Sequence, residues 1–289
     1  MNTDSSYASS FGKRISVGNY YKQAQVPVTR SSNPQPNCSS LELTKEEHHE
    51  KHFFIYRYQP KSHMFGVCIF IEAQIKTLNH HISVLKPESI NINEWIAAHI
   101  VVFNNFCSSL WINFCEEPNE NNKTEERDSN DYAMICNKLK CPSMTAGSKA
   151  EYLWADGKSI KQPTSISAPK YIYHVLEWLE HELEYFPRKD FSNYPDNFLS
   201  KTAKNSFRRL FRIYAHFCFH HQDNFRTEMT KEFKNNLSYF LFFVKQFSLI
   251  GSKEFSVLAK FHNENLIRLG LKSLKKQPLK STKHSSSNN

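Results

Sequence analysis

Ile96, Ile100, Phe103, Cys107, Leu110 and Phe114 recur at alternating steps of four and three, the spacing of one helix face. Trp95, Val102, Phe106 and Trp111 make the neighbouring face apolar as well. A helix hydrophobic over so much of its circumference belongs at the centre of a bundle. This stretch, with Asn93 as its expected N-cap and Pro87 just upstream, therefore commits the chain to a helical core.

The rest of the pattern agrees. Ser167 is placed to cap a helix with Pro169 in its first turn and a stripe of Ile172, Val175, Leu176, Leu179 and Leu183, ended by Phe186-Pro187. Asp196 is placed to cap a helix through 207–221. Phe233, Leu237, Phe240, Leu241, Val244 and Phe247 mark another, and Phe255, Leu258, Ile267 and Leu269 a last one. Strand patterns are scarce after residue 93, so the spacing predicts an all-α bundle over 93–270. Upstream, 46–92 is an extension of mixed pattern. Its runs 53–56 and 67–71 are aromatic or β-branched enough for short strands, or for apolar arms laid over the helices.

Three segments have too little to bury and read as disordered. They are a Ser/Asn/Gln/Thr-rich arm over 1–45, an insertion loop over 116–131 with seven acids against two bases, and a basic tail over 271–289. The formal charge of +9 suggests an acidic partner, but residues 272–289 alone carry five lysines and no acid. A folded nucleic-acid surface is therefore not expected. The first thirty residues lack the apolar core of a signal peptide, and no continuous apolar run is long enough to cross a bilayer. The expectation is a protein of the cytoplasm, extending to the nucleus, with no transmembrane segment, whose seven cysteines serve as thiols or metal ligands.

The stretch FRRLFRIYAHFCFHH, 207–221, concentrates chemistry on one helix. Phe207, Leu210, Phe211, Tyr214 and Cys218 form its burial stripe, while Arg208, Arg209 and Arg212 fall within an arc of about 100° and His216 continues that face one turn later. Cys136 and Cys141 form a C-x4-C pair, and with two histidines of this helix they make a Cys2His2 set. Four protein ligands fill a tetrahedral zinc and leave no position for an activated water, so the chemistry implied is structural. The second histidine is open. His220 lies about 40° from His216 on a regular helix, whereas His221 lies about 140° round and needs a distorted turn or a helix end.

Glu94-Trp95-Ile96-Ala97, Cys136 to Pro142, Ser143-Met144-Thr145-Ala146-Gly147 and Tyr152-Leu153-Trp154-Ala155-Asp156-Gly157 resemble the motifs of the Mob family of kinase co-activators. So do Ser167-Ala168-Pro169-Lys170-Tyr171, Phe186-Pro187, Arg209 to His216 and Phe242 to Phe247. They come in the family's order over roughly residues 84–269 and look most like the Mob1-type branch. The resemblance implies a helical bundle with one structural Zn2+ on Cys136, Cys141, His216 and His221, the five-residue histidine spacing being the family's. It implies no catalytic activity, and binding of NDR/LATS-type kinases through a basic N-terminal segment. It also implies binding of phosphothreonine peptides from upstream Hippo-type kinases or scaffolds, with Arg208, Arg209 and Arg212 as the phosphate cluster. Guanidinium forks grip phosphate oxygens in pairs, and a phosphate carries nearly two charges, so three arginines suit it.

Two acids that the family uses against the kinase align with Val102 and Ile90, leaving Glu94 as the kinase-facing carboxylate. The acidic loop over 116–131 is additional to the family pattern. The rival readings are a phocein-like scaffold subunit without direct kinase activation, and a zinc hydrolase using Glu232 or Glu184, neither of which has motif spacing.

Overall fold

The computed structural model describes residues 44–47, 54–57, 62–77, 79–115, 134–148, 150–187 and 193–268, all within the unit Ser40–Asn289. The acidic insertion 116–131, the basic tail 271–289 and nearly all of the arm 1–45 lie outside the described residues. At the front, β1 (Thr44–Glu47) and β2 (Phe54–Arg57) pair antiparallel, Thr44 opposite Arg57 and Glu47 opposite Phe54.

The structure is predominantly helical, as the patterning requires. Helix α1 (His63–Ile75) follows, then the single turn α2 (His80–Ser83) and the central α3 (Ile92–Phe114). The expectation of a strand over 67–71 is overturned: that run lies inside α1. Ser62 caps α1 by accepting from Phe65 N at 3.2 Å, and Met64, Val67, Cys68, Ile71 and Ile75 are buried at helical spacing. The run's β-branched content is outweighed by packing against α3. The N-cap of α3 is Asn91 instead of the expected Asn93. Asn91 and Glu94 form a reciprocal capping box, the Asn91 side chain accepting from Asn93 N at 2.8 Å and Glu94 Oε2 from Asn91 N at 3.2 Å.

Helix α3 is long and apolar enough to cross a membrane, but most of it is buried as the core of this bundle, and no other described helix passes the same test. Around it stand α4 (Ala168–Glu184), α5 (Lys204–His220) and α6 (Thr227–Gln246), then the turn α7 (Ser252–Phe255) and α8 (Ala259–Arg268). Every member of the expected α4 and α6 stripes is buried. Phe103 of α3 packs edge-on to Phe240 of α6 at 4.9 Å, and Trp111 donates to Pro169 O at the start of α4 at 3.3 Å. Aromatic pairs of this kind add about 1 kcal/mol each beyond the area they bury.

Asp196 does not cap α5. A wide helical turn, Phe198–Ala203, runs directly into α5, and the residue before it, Asn197, makes no side-chain cap bond. Ser167 does stand at the N-cap of α4, also without a side-chain bond.

Candidate metal centre and arginine cluster

The C-x4-C segment is shaped locally before it meets α5. Cys136 N donates to Phe114 O at 2.9 Å, tying the loop to the last turn of α3. Asn137 makes the turn: its Oδ1 accepts from Lys140 N at 2.9 Å and its carbonyl from Cys141 N at 2.8 Å. Cys141 O then accepts from Ala168 N, the first residue of α4, at 3.0 Å. Two core helices thus fix the two thiols.

Helix α5 brings the imidazoles. Cys136 Sγ lies 3.5 Å from His216 Nε2, Cys141 Sγ lies 3.5 Å from His221 Nε2, and the two Nε2 atoms are 3.1 Å apart. All four ligand atoms fall within 4.8 Å of one another, and all four residues are buried. A tetrahedral zinc with its usual bond lengths needs S···N edges of roughly 3.6 Å and an N···N edge of about 3.3 Å. The donor set therefore fits such an ion. His216 Nδ1 donates to Thr145 O at 2.8 Å, which leaves Nε2 as the bare ligand nitrogen. Burial holds His221 below its ordinary pKa, which favours the neutral form a metal requires.

His221, not His220, is the second histidine of this close group, contrary to the wheel geometry. Helix α5 ends at His220, and His221 is its C-cap, with φ −132° and ψ −12°. That break swings the imidazole round to its partner. His220 is exposed and bonds Thr145 Oγ1 at 3.1 Å instead. Thr145 belongs to β3 (Thr145–Ala146), paired with β4 (Ala150–Glu151). At the intervening turn Gly147 takes φ +64°, and a Cβ there would stand 3.3 Å from the Phe219 ring, so glycine is needed on two counts. Cys218 is buried away from the set, its thiol pushed up to about 11 chiefly by burial.

One turn before His216, the arginines meet a second loop. Asp156 Oδ1 accepts from Lys158 N and Ile160 N at 2.7 and 2.8 Å, Gly157 turns with φ +74°, and Trp154 pairs with Thr164. This turn sets Tyr152 and Trp154 against α5. The Arg209 guanidinium lies over two rings, Trp154 at 4.4 Å and Trp178 of α4 at 4.6 Å. Its NH2 donates to Ala155 O at 3.4 Å. Arg212 lies over Tyr152 at 5.2 Å, donates from NH1 to Tyr171 Oη at 2.7 Å, and donates from Nε to Glu254 Oε1 at 3.0 Å. Arg208, the most exposed of the three, pairs through Nε with Glu254 Oε2 at 3.3 Å. Burial above all, with the charges of Arg212 and Arg208 adding to it, holds Arg209 below its ordinary pKa.

Sequence reasoning found the arginines and missed Glu254, Tyr171 and Trp178, which hold them. Glu254 is 42 residues from Arg212, and no local pattern announces the pair.

Glu94 is committed at the N-terminus of α3, its carboxylate capping Asn91 N and standing 3.5 Å from His63 Nε2. Val102 is buried and Ile90 half-buried. Glu232 and Glu184 are not part of the Cys/His group, and Glu184 faces His181 at 3.7 Å.

Comparison with known proteins adds the following. The Mob1/phocein family model matches residues 72–258, well over half of the chain. A protein of Drosophila melanogaster, MOB kinase activator-like 3, is 34% identical over 177 residues, covering 60% of this chain and 71% of its own length. MOB kinase activator-like 1A of Arabidopsis thaliana is 33% identical over 192 residues, covering 65% of this chain and 80% of its own. MOB kinase activator-like 1 homolog C of Dictyostelium discoideum is 33% identical over 172 residues, covering 58% and 71%.

Proposed function

This chain belongs to the Mob1/phocein family, and on that premise we propose that it is a non-catalytic kinase co-activator and adaptor, which binds an NDR/LATS-type kinase and a phosphothreonine segment of an upstream Hippo-type kinase or scaffold. The kinase role rests on relatives that carry the name kinase activator. The observation that carries the phosphopeptide role is the grouping of Arg208, Arg209 and Arg212 on one side of α5, one turn before the histidine that joins the Cys/His set. Two aromatic rings hold one guanidinium in place, so little side-chain freedom remains to be lost when an anion arrives.

The ion is Zn2+, and its role is structural. Cys136, Cys141, His216 and His221 would hold it, joining the end of α3 and the start of α4 to the end of α5. With four protein ligands, and no described carboxylate in the group, the hydrolase reading has no support. Cytoplasm and nucleus are proposed as its location, and 93–270 as its binding domain.

A second reading, the phocein-like scaffold subunit, is favoured by one set of observations. The surviving acid Glu94 is engaged in capping, and the other two kinase-facing positions are apolar. Pull-down with the basic N-terminal segment of an NDR/LATS-type kinase separates the readings. Capture of that segment supports co-activation, and failure to capture it while phosphothreonine peptides still bind supports the scaffold. Restoring an acid at Val102 is no remedy, because it would bury a charge in the core.

A further inference from the structure

Glu254 occupies the place where an anionic ligand of the arginines would sit. One oxygen accepts from Arg212 Nε at 3.0 Å and the other pairs with Arg208 Nε at 3.3 Å, so a single carboxylate bridges both guanidinium groups. It comes from α7, a single turn that follows Gly251 and lies 42 residues further along the chain than Arg212. Beside it the buried Tyr152 hydroxyl has no hydrogen-bond partner, and its pKa is pushed up to about 12, first by burial and then by the Glu254 charge. The arginine cluster therefore already holds one carboxylate and has one unpaired polar group beside it.

Resting on the reading of this cluster as a phosphate site, we propose that Glu254 is its specificity-determining residue: a built-in carboxylate that only a dianionic phosphate monoester can displace. A tethered group acts at an effective concentration in the millimolar range or above. A glutamate or aspartate side chain of a peptide offers the arginines the same charge and the same two oxygens, and must also be ordered and desolvated on arrival, so it gains nothing over Glu254. A phosphothreonine brings nearly two charges and three acceptor oxygens, enough to engage Arg208, Arg209 and Arg212 together. Released, Glu254 turns toward solvent on its short turn, and the arriving phosphate offers the unpaired Tyr152 hydroxyl an acceptor. The cost of breaking the internal pair lowers the affinity for every anion, and it removes the weaker ones from the range of binding altogether.

The test uses the full chain, wild type and Glu254→Gln, with folding verified by thermal melting. It titrates three fluorescent peptides with degenerate flanks, carrying phosphothreonine, glutamate or threonine at the centre. Wild type is expected to bind the phosphothreonine peptide alone. Glu254→Gln is expected to bind it about tenfold more tightly and to acquire measurable affinity for the glutamate peptide, as removal of a partly buried ion pair predicts. Glu254→Asp, which keeps the charge but shortens its reach, should fall between the two. A Glu254→Gln protein that binds phosphothreonine no better than wild type, or less well, overturns the proposal and leaves Glu254 as an aligner of the arginines. If neither protein distinguishes phosphothreonine from threonine, the phosphate reading itself fails and the discrimination falls with it.

Discussion

His216 and His221 place their Nε2 atoms 3.1 Å apart although they stand five positions apart in the chain, a spacing that puts side chains on opposite flanks of a continuous helix. The end of α5 at His220 makes the meeting possible. With the thiols of Cys136 and Cys141 this pair joins three core helices at one point.

Removal of the ion should loosen the bundle. With free ion a thousandfold above its Kd, binding adds about 4 kcal/mol to stability. For a domain of this size that corresponds to a melting temperature roughly 10 °C lower after chelation, or in Cys136→Ser. Scanning calorimetry with and without a chelator checks this, and an unchanged melt would remove the structural role.

The arginines should not be interchangeable with lysines. Arg212→Ala is expected to weaken phosphothreonine-peptide binding by about tenfold to a hundredfold, with the remaining affinity less sensitive to salt. Arg209→Lys should lose nearly as much as Arg209→Ala, because an ammonium cannot stack as a plane on Trp154 and Trp178. Peptide titrations at two ionic strengths decide the matter.

Acid should destabilise the core through His99. Its ring stacks on Phe243 at 3.7 Å, with Nδ1 2.6 Å from Trp95 O and Nε2 3.1 Å from Tyr239 Oη. Burial pulls its pKa down to about 3. The unfolded chain, with an ordinary histidine value near 6.5, takes up the proton first as pH falls. Stability is therefore intact above about pH 6.5 and declines toward pH 3, by up to about 1.4 kcal/mol per pH unit for this one group. Urea midpoints measured across that window should fall less steeply in His99→Gln than in wild type.

Glu94 offers a split test. Glu94→Ala should cost about 1 kcal/mol of stability through the lost capping box, a melting shift of roughly 3 °C. If Glu94 also touches a kinase, the same variant should weaken capture of the kinase segment by far more than that shift explains. Equal capture would leave it a capping residue only.

The helices and their buried faces were legible because periodicity reports burial directly: each stripe in α4 and α6 lies inside. The run 67–71 misled because a short apolar β-branched segment has no decisive period by itself, although Met64, Val67, Cys68, Ile71 and Ile75 carry the helical spacing over a wider window. Asn91 was also within reach, since Asn91 and Glu94 stand in capping-box order. The metal set shows both sides. Residue types and separation announced the Cys/His group and the family resemblance put His221 in it, whereas wheel geometry pointed to His220 because it does not contain the helix end. Glu254 lay beyond any local rule, because its meeting with Arg208 and Arg212 is made by the packing of α7 on α5.

The most direct test of the account is the metal content of the purified full chain and two variants. The account predicts one zinc per chain in wild type and in His220→Ala, and loss of that zinc in His221→Ala. A wild-type protein free of zinc, or a His221→Ala protein that keeps its zinc while His220→Ala loses it, would contradict the account.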